Sequence, residues 1–446
     1  MPERVISEAP AEPGVRQAPA GAGTPVGDYV APRRASRPLR VVYLWDADYP
    51  WDVRTQKICA TLTSAGHDVH IVARNRAHRA LVERLPEGTV HRMPPWRWAG
   101  RRLDEALGFP AFFSPRWLGL LDRTVRRVRP DAIIARDLPL APAAIRVGRQ
   151  RGVPVILDMA ENYPAMMRMI FDAGRDRPLD HVVRNPRAVA AVERYALRHV
   201  DRVLVVVEEM AERLRGMGLA RDRIDLVSNT PPRSRAAAPA AVPAAASAGG
   251  PAEPDDGVLD LVYLGLLEVA RGIMEIVEAT AILRDRGIPV RVRIIGAGRD
   301  AELFHARARE LALEPPLLEF LGYVERERAL ELVGEADVGL LPHHANEMWN
   351  TTIPNKLFDY MAAALPVVTS SAIPCARVVE ATGAGEVFEA GNAAALADAV
   401  ARLRPPEARG ERGAAGRRAV LEQYHWERDA AHLLDGVDRA ASRARR

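Results

Sequence analysis

Residues 342–369 read PHHANEMWNTTIPNKLFDYMAAALPVVT, and this stretch decides the fold. Because proline is tolerated at the start of a helix and Asn is a good N-cap, the pattern predicts a helix from Asn355 to about residue 364. Offsets of three and four residues share a helix face, so Asn355, Lys356 and Asp359 can address one ligand. A cation and free N–H groups at a helix N-terminus suit a phosphate, and a carboxylate one turn later suits a ribose diol. A solvated polar face is the alternative interpretation.

The preceding sequence predicts a parallel sheet built from strand–helix–strand units. Apolar runs at Leu259–Leu264 and Val290–Ile295 are each followed by glycine, and a helical pattern separates them. Further strands are predicted at 317–321, 338–341 and 365–369. Ligands gather at the carboxyl ends of strands in such sheets, which predicts a nucleotide cleft there. The residues expected to converge on it are Gly265, Arg271, Gly296, Gly298, Gly322 and Asn355.

The first half of the chain repeats this alternation of strands and helices. It predicts a second parallel sheet with helices on both faces. The predicted strands lie at 39–44, 68–73, 132–135, 153–157 and 203–207, and the predicted helices at 54–65, 140–151 and 188–199.

Together these segments resemble the family 4 glycosyltransferases, which have the GT-B fold and retain anomeric configuration. The resemblance runs from about Arg40 to about Asp435 and implies an α/β chain with two Rossmann-like domains facing each other across a cleft. The form Asn-Lys-Leu-Phe-acid-Tyr-Met is similar to a branch that acts in bacterial surface polysaccharides. The matching segments are LTSAGHDVHIV, ERYALRHVDRVLVVVEEMAERL and IDLVSNTP in the first half and GLLEVARGI, IIGAG, FLGYV, ADVGLLP, PNKLFDYMAAALPVV and GAGEVFEAGNAAALADAV in the second.

The resemblance also implies roles for individual residues. Arg271 and Lys356 would neutralise the donor diphosphate, and Asp137 in ARDLPLAPAA occupies the position where many members carry a His that faces the sugar. A helix N-cap is the alternative for Asp137. Donor-binding positions are Gly265, Gly296, Gly298, Tyr323, Val324, Thr352, Asn355 and Asp359. Acceptor-binding candidates are Asp52, Arg54, Arg136, Glu161 and Asn162.

Two positions depart from the family pattern. The family commonly has two acids separated by seven residues; Asp359 fills the second place, but Thr351 stands at the first. A basic residue often follows the first loop glycine, where this chain has Leu266. Both departures fall in the donor cleft, and we interpret them as divergence of donor recognition rather than loss of activity.

The domain boundaries follow from composition and from the resemblance. Low-complexity Ala, Pro, Ser and Gly cannot bury a core, so such segments are expected to be flexible. We expect a disordered tail at 1–37, an acceptor domain at 38–230, a flexible linker at 231–257, a nucleotide-sugar domain at 258–420 and a C-terminal helix at 421–446 that crosses back to the first domain.

Other functions are compatible with parts of the pattern. Gly296, Gly298 and Ala301 fit the dinucleotide fingerprint G-x-G-x-x-A, but the expected acid at the end of the second strand is absent, since Glu319 lies within that strand. A sugar-nucleotide epimerase or a phosphorylase on the same fold is an alternative. A noncatalytic subunit that binds a nucleotide sugar is another, from a different class.

Composition favours a cytoplasmic enzyme. The chain has 446 residues, 48% of them apolar, and carries a net charge of +4 with a pI of about 9.2. Neither a signal peptide nor an apolar run of about 18 residues is present, and Cys59 and Cys375 indicate no disulfide framework or zinc site. We expect a nucleotide sugar and an acceptor as partners, namely a sugar, a lipid-linked sugar or a small molecule, and no nucleic acid, metal or other cofactor.

Residues 91–129 combine aromatic rings with many arginines. Such a mixture suits contact with the inner face of a membrane, where rings settle at headgroup depth and guanidinium groups meet phosphate. Burial of the rings in the core is the alternative. The aromatic residues are Trp96, Trp98, Phe109, Phe112, Phe113 and Trp117.

Overall fold

Two α/β domains make up the protein. The computed structural model describes residues 29–35, 37–50, 52–95, 112, 114–172, 185–237 and 257–443. Each domain is built around one sheet whose strands are almost all parallel. The predicted fold class, two Rossmann-like units, is confirmed.

The N-terminal sheet has eight strands among the described residues. Its central strands are buried on both faces because helices cover them, which explains their continuous Val- and Ile-rich sequence. The strands are β1 (Arg40–Leu44), β2 (Asp68–Ala73), β3 (Val82–Leu85), β4 (Gly88–Arg92), β5 (Ala132–Arg136), β6 (Val155–Met159), β7 (Arg202–Val205) and β8 (Ile224–Leu226). Their spatial order is β3-β4-β2-β1-β5-β6-β7-β8, and only the β3–β4 pair is antiparallel.

The C-terminal sheet has six parallel strands in the part of the chain that the structure describes. They are β9 (Leu259–Leu264), β10 (Val290–Ile295), β11 (Leu318–Gly322), β12 (Val338–Leu341), β13 (Val367–Ser370) and β14 (Gly385–Phe388). Their order is β11-β10-β9-β12-β13-β14. Because all six run the same way, the loops after β9 to β12 lie at one edge of the sheet.

Helices flank both sheets. In the N-terminal domain they are α1 (Val53–Ser64), α2 (Pro115–Val128), α3 (Ala141–Arg151), α4 (Tyr163–Asp172), α5 (Pro186–His199) and α6 (Glu208–Gly216), followed by the short α7 (Arg233–Ala237). The remaining described helices are α8 (Ile273–Asp285), α9 (Ala301–Glu310), α10 (Arg326–Gly334), α11 (Asn355–Ala362), α12 (Ile373–Thr382), α13 (Ala393–Arg402), α14 (Pro406–Glu422) and α15 (Trp426–Arg443).

Helix α11 begins at Asn355, as predicted, but its N-cap residue and its end differ from the prediction. Pro354, not Asn355, is the N-cap residue, so Asn355 is already helical and supplies no side-chain cap. The helix ends at Ala362, because Ala364 has a left-handed backbone with φ of 58°. The expected helix end near residue 364 was therefore about two residues too late.

The expected N-terminal tail was too long. Tyr29 is 4% exposed and meets the ring of Trp426 edge-on at 6.3 Å. The backbone N–H of Ala35 donates to the Ala65 carbonyl at 2.8 Å. Residues 29–35 are therefore packed on the first domain, because an aromatic anchor supplies the apolar contact that the tail's composition lacks. Residues 1–28 and 36 lie outside the described residues.

The start of the expected linker is helical. Helix α7 occupies Arg233–Ala237, and the Ala236 carbonyl accepts a 2.7 Å hydrogen bond from Arg417 Nε. The start predicted for the flexible linker, residue 231, was therefore too early, because residues 233–237 are helical. Residues 238–256 lie outside the described part of the chain.

The last helix, α15, packs on the N-terminal domain. Its Trp426 is fully buried and donates from Nε1 to Thr61 Oγ1 at 2.8 Å. Lys57 lies over the same indole at 4.4 Å and donates to the Thr230 carbonyl at 3.1 Å. The C-terminal end of the chain thus ties the two domains together. No helix within the described ranges has both the length and the apolar character that crossing a membrane requires.

Candidate active site

Three glycines allow the loops at the carboxyl edge of the C-terminal sheet to touch. Gly296 has a φ of 140°, and a Cβ there would lie 1.7 Å from the Gly265 carbonyl oxygen. A Cβ on Gly298 would lie 2.1 Å from the Leu267 carbonyl oxygen. Because only glycine permits such close backbone approach, the loops after β9 and β10 form one continuous wall.

Arg271 lies beside this wall, immediately before α8. Its guanidinium stacks over the indole of Trp349 at 5.0 Å, and its Nε donates to Glu268 Oε2 at 3.3 Å. Gly272, with φ of 73°, follows; a Cβ there would lie 1.9 Å from the Pro342 carbonyl oxygen. The loop after β12 therefore packs directly against the start of α8, which holds Arg271 at the sheet edge.

Lys356 is in the first turn of α11 and faces the same edge. Its Cε would lie 3.3 Å from a Cβ on Gly265, so its stem runs along the first glycine loop. Burial and, to a smaller extent, the nearby positive charge of Arg271 lower the pKa of Lys356 to about 8, while Asp359 opposes both. Two cations held close together at strand ends and a helix N-terminus favour an anionic ligand.

Two buried side chains in this cleft were missed from the sequence. His343 is 2% exposed, and neither of its ring nitrogens has a hydrogen-bond partner among the described residues. Its ring lies 4.1 Å from that of Trp349, whose Nε1 also has no such partner. Burial, followed by the charges of Arg271 and Lys356, holds the pKa of His343 well below its usual value. A single His after a strand has no periodic signal in sequence.

Asp359 already has a protein partner. Arg235 of α7 donates to its Oδ1 at 2.7 Å, and the carboxylate is largely buried. The expected ribose contact thus lies against the segment that leads out of the first domain. Asn355, Tyr323 and Val324 border the cleft at the ends of α11 and β11, with Tyr323 57% exposed.

Arg136 ends β5 on the opposite side of the cleft. Its guanidinium is buried and lies over the Trp45 ring at 5.7 Å, yet its Nε and Nη1 have no hydrogen-bond partner among the described residues. Asp52 Oδ1 is 4.0 Å away and also caps α1 by accepting from the Thr55 N–H at 2.7 Å. Arg136 and Asp52 therefore lie together, as the acceptor assignment requires.

Asp137 has a strained backbone. Its φ of 59° and ψ of 172° fall in a region that residues other than glycine rarely adopt, and such strain concentrates at functional sites. Its side chain gives no helix cap, which removes the alternative role; Oδ1 instead accepts from the Ala160 N–H at 3.2 Å. Burial raises the pKa of Asp137 to about 7, against the lowering effect of Arg136 and with help from Glu161 and Asp158.

This raised pKa predicts a pH-dependent stability. The unfolded pKa is about 4, so the folded state holds an extra proton between about pH 4 and pH 7; the stabilisation is complete below that window and is lost as the pH rises through it. Asn keeps the size and the acceptor oxygen without titrating. Asp137→Asn should therefore gain about 2–4 kcal/mol over wild type above pH 7. Urea unfolding at pH 5 and pH 8 measures it, and a pH-independent difference would contradict the assignment.

Arg54 does not face the cleft, so its expected acceptor role is corrected. The side chain is 3% exposed, and its Nη2 lies 2.6 Å from Oδ1 of Asp158, which is fully buried. Its Nη1 donates to the Val227 carbonyl at 2.8 Å, and Tyr43 donates to Asp158 Oδ2 at 2.8 Å. Arg54 joins β6 to the chain after β8, and its burial keeps the guanidinium away from a substrate in the cleft.

Asn162 and Thr352 are also corrected, because they join the two domains. Asn162 is fully buried and donates to Thr351 Oγ1 at 3.2 Å. Thr352 Oγ1 donates to the Ala160 carbonyl at 3.0 Å, and Asn229 Nδ2 donates to the Ile353 carbonyl at 3.2 Å. Thr351, which occupies the position of the missing acid, thus contacts Asn162 of the N-terminal domain.

Glu161 connects the two halves of the site. Burial raises its pKa, while Arg136 from the first domain and Arg271 from the second both lower it, so the carboxylate feels a cation on each side of the cleft. The structure therefore brings together six of the expected residues around one cleft. They are Arg271, Lys356, Glu161, Arg136, Asp137 and Asp52.

The structure describes only part of the segment 91–129, for which a membrane surface was expected. Trp117 is fully buried in the core, as the alternative interpretation held, whereas Trp96, Trp98, Phe109 and Phe113 lie outside the described residues. Arg126 and Arg151 both pair with Asp122. The membrane contact remains a prediction.

Known proteins resemble this chain in both halves. A model described as "Glycosyl transferase 4-like domain" matches residues 51–230, and one described as "Glycosyl transferases group 1" matches residues 259–404. The glycogen synthase of Mycobacterium tuberculosis is 26% identical over 308 residues, covering 68% of this chain and 67% of that protein.

Solved structures extend this likeness to the three-dimensional arrangement. Sucrose-phosphate synthase from Thermosynechococcus elongatus has a TM-score of 0.68 at 18% identity, covering 88% of this chain and 96% of that one. HepE from Anabaena, in complex with UDP and glucose, has a TM-score of 0.64 at 14% identity, covering 91% and 100%. These likenesses confirm the GT-B arrangement of the two domains.

Proposed function

Because this chain belongs to the family 4 glycosyltransferases of the GT-B fold, we propose that it moves a sugar from a nucleotide diphosphate to an acceptor hydroxyl with retention of configuration. The observation that carries the proposal is the proximity of two cations, Arg271 and the half-buried Lys356, at the carboxyl edge of the second sheet. Two cations there match a diphosphate, and the HepE neighbour was solved with UDP and glucose. The nucleotide sugar is accordingly the proposed donor.

Arg271 and Lys356 stabilise the leaving group. The bond between the sugar C1 and the diphosphate oxygen breaks, and negative charge that develops on phosphate is met by two fixed cations in a closed cleft. The acceptor oxygen bonds to C1 on the same face, and its proton passes to a phosphate oxygen. No side-chain base is required for this step.

Arg136, Asp137, Glu161 and Asp52 form the proposed acceptor side. Carboxylates accept hydrogen bonds from hydroxyl groups, and Arg136 Nε and Nη1 make no hydrogen bond among the described residues, although Nη1 lies 3.5 Å from Asp137 Oδ1. A polyhydroxylated acceptor fits this set better than a phosphate, since the acids outnumber the arginine. Surface polysaccharide, glycolipid and secondary-metabolite synthesis all use such acceptors, and peripheral contact with a membrane through residues 91–129 belongs to the same proposal.

A ligand screen tests the proposal first. UDP-, GDP-, ADP- and dTDP-sugars would be added to the full chain in a thermal-shift assay, because a ligand at 100 times its Kd stabilises by about 2.7 kcal/mol. Turnover with an acceptor panel, followed by NMR of the anomeric proton, then tests retention. Turnover without any acceptor would indicate an epimerase, phosphate-dependent turnover a phosphorylase, and binding without product a noncatalytic subunit.

Activity is expected to survive chelation. The diphosphate charge is assigned to Arg271, Lys356 and the N-terminus of α11, and the described residues contain no group of three His, Cys, Asp or Glu side chains that could hold a metal. Initial rates measured with a millimolar excess of EDTA should stay within about twofold of the rate without EDTA. A complete loss that magnesium or manganese restores would contradict this assignment.

Asp359 is expected to read the ribose of the donor. Its carboxylate can accept from both ribose hydroxyls, whereas an amide replaces one acceptor by a donor. Asp359→Asn should weaken nucleotide binding by about 1–3 kcal/mol and shrink the preference for ribose over 2′-deoxyribose. Calorimetric titration of both nucleotides measures that preference.

Arg235→Gln is the matched control, since it removes the 2.7 Å ion pair and leaves the carboxylate in place. It should keep the ribose preference. If Asp359→Asn keeps it equally well, the carboxylate serves only to hold Arg235.

A further inference from the structure

His343 and Trp349 carry three buried polar atoms for which the described residues supply no partner. They are His343 Nδ1, His343 Nε2 and Trp349 Nε1. The side chains are 2% and 6% exposed. Leaving a buried donor or acceptor unsatisfied is costly, and most such groups in native proteins have a partner, so three in one contact pair call for a ligand.

The surroundings fix where such a ligand lies. The His343 ring contacts Trp349 at 4.1 Å, and the same indole lies against the Arg271 guanidinium at 5.0 Å. The two cations assigned to the diphosphate are thus neighbours of the pair. The Trp349–Thr351 turn continues to the domain contact at Asn162. A ligand group at His343 and Trp349 therefore lies between the diphosphate and the acceptor domain.

The backbone holds His343 firmly in this place. Its carbonyl accepts a hydrogen bond from Ser370 Oγ. The preceding carbonyl, of Pro342, packs so closely on Gly272 that a Cβ there would lie 1.9 Å away. Adjacent His344 points elsewhere, since its Nε2 pairs with Glu275 Oε1 at 2.9 Å.

Resting on the proposed transfer reaction, we infer that His343 and Trp349 bind the hydroxyl groups of the donor sugar. A neutral imidazole offers one donor and one acceptor, and the indole N–H offers a further donor, which together match a sugar hydroxyl pattern. The indole ring also presents an apolar face to the sugar C–H groups. The pair takes over the sugar contact for which Thr351, engaged between the domains, is unavailable.

The imidazole stays neutral for a physical reason. Burial and the charges of Arg271 and Lys356 depress the pKa of His343, with His344 adding a smaller effect. A neutral ring keeps one acceptor, whereas an imidazolium would have donors only. The neutral form can thus distinguish a hydroxyl at one carbon from its absence or inversion.

The test compares His343→Leu with wild type in the full chain. Leucine fills the space without polar atoms, and removing unsatisfied buried groups should leave the melting temperature of the ligand-free protein unchanged or higher. The control is His344→Leu, which breaks a satisfied pair and should lower it. Titrations use whichever of UDP, GDP, ADP or dTDP binds best, and its commercially available hexose conjugate.

The expected result is specific to the sugar. Wild type should bind the nucleotide sugar more tightly than the nucleoside diphosphate, and His343→Leu should lose about tenfold of that advantage while its diphosphate Kd stays within twofold. Monodeoxy donors sharpen the test: one missing hydroxyl should weaken wild type about tenfold and leave His343→Leu indifferent. His344→Leu should behave as wild type in both comparisons.

Other outcomes separate the inference from the proposed function. No nucleotide binding by wild type would overturn the proposed function itself. Equal loss of diphosphate and nucleotide-sugar binding in His343→Leu would make His343 a phosphate contact and overturn sugar recognition. Unchanged affinities, a wild type that does not favour the sugar conjugate, or a fall in melting temperature with intact sugar preference would assign His343 a structural role only.

Discussion

Lys356→Met should reduce kcat by about 10²- to 10³-fold, the range for loss of one preorganised group that meets charge in a transition state. The methionine keeps the length of the stem along Gly265 and removes only the charge. Because negative charge on the diphosphate grows as the sugar leaves, kcat should fall more than the affinity for free nucleotide, which should weaken by about 1.5–3 kcal/mol.

The thermal stability of Lys356→Met should not fall together with its activity. The folded pKa of Lys356 is about 8, below its unfolded value near 10, so the charged form is disfavoured in the folded state at neutral pH. Removing that charge should leave the melting temperature unchanged or higher. Steady-state kinetics and a thermal melt on the same preparation separate lost catalysis from lost folding.

Lys57→Met is the matched control for Lys356. Lys57 is the chain's other lysine and is fully buried, and its ammonium contacts the Thr230 carbonyl at 3.1 Å and the Trp426 ring at 4.4 Å. Its replacement should leave nucleotide affinity within twofold. A kcat of Lys356→Met within threefold of wild type would remove Lys356 from the proposed chemistry.

Arg54→Met should destabilise the protein by about 3–5 kcal/mol, the range for removing one partner of a buried ion pair. The loss leaves the fully buried Asp158 with Tyr43 as its remaining hydrogen bond and with Arg136 at 3.9 Å. It also leaves the Val227 carbonyl without its 2.8 Å donor. Urea unfolding followed by circular dichroism measures the change.

A double variant distinguishes structure from substrate contact at this position. Arg54→Met with Asp158→Asn removes the uncompensated charge and should recover part of the lost stability, since replacing both partners is far less costly than replacing one. The KM for the acceptor should stay close to wild type in whatever folded fraction remains. A stable Arg54→Met with a raised acceptor KM would restore the role first expected for Arg54.

The two sheets were accessible from sequence because buried parallel strands read as continuous apolar runs. Leu259–Leu264, Val290–Ile295 and Val338–Leu341 are strands at the bounds predicted. The glycine turns after them and Lys356 after Pro354 are local signals of the same kind. Their convergence follows from the common direction of parallel strands.

The remaining contacts depend on residues far apart in sequence. Arg54 at the start of α1 and Asp137 after β5 were both expected at the site, but only the fold reveals that the Arg54 guanidinium pairs with Asp158, 104 residues away. Arg235 reaches Asp359 across 124 residues. No periodicity in the sequence encodes such pairs. His343 could not be predicted because its significance is that its buried ring nitrogens have no hydrogen-bond partner among the described residues, which only the structure reveals.

The scarcity of lysine gives the protein an unusual chemical signature. Lys57 and Lys356 are the only lysines in the chain; Lys57 is fully buried and Lys356 is half-buried, and burial lowers their pKa values to about 7 and about 8. Apart from the chain's α-amino group, Lys356 is thus the amine that an acylating reagent can reach in the folded protein, and a fraction of it is uncharged and nucleophilic near neutral pH. Amine-directed labelling would therefore report on occupancy of the cleft, with nucleotide shielding Lys356, whereas the fully buried Lys57 should react only when the protein unfolds.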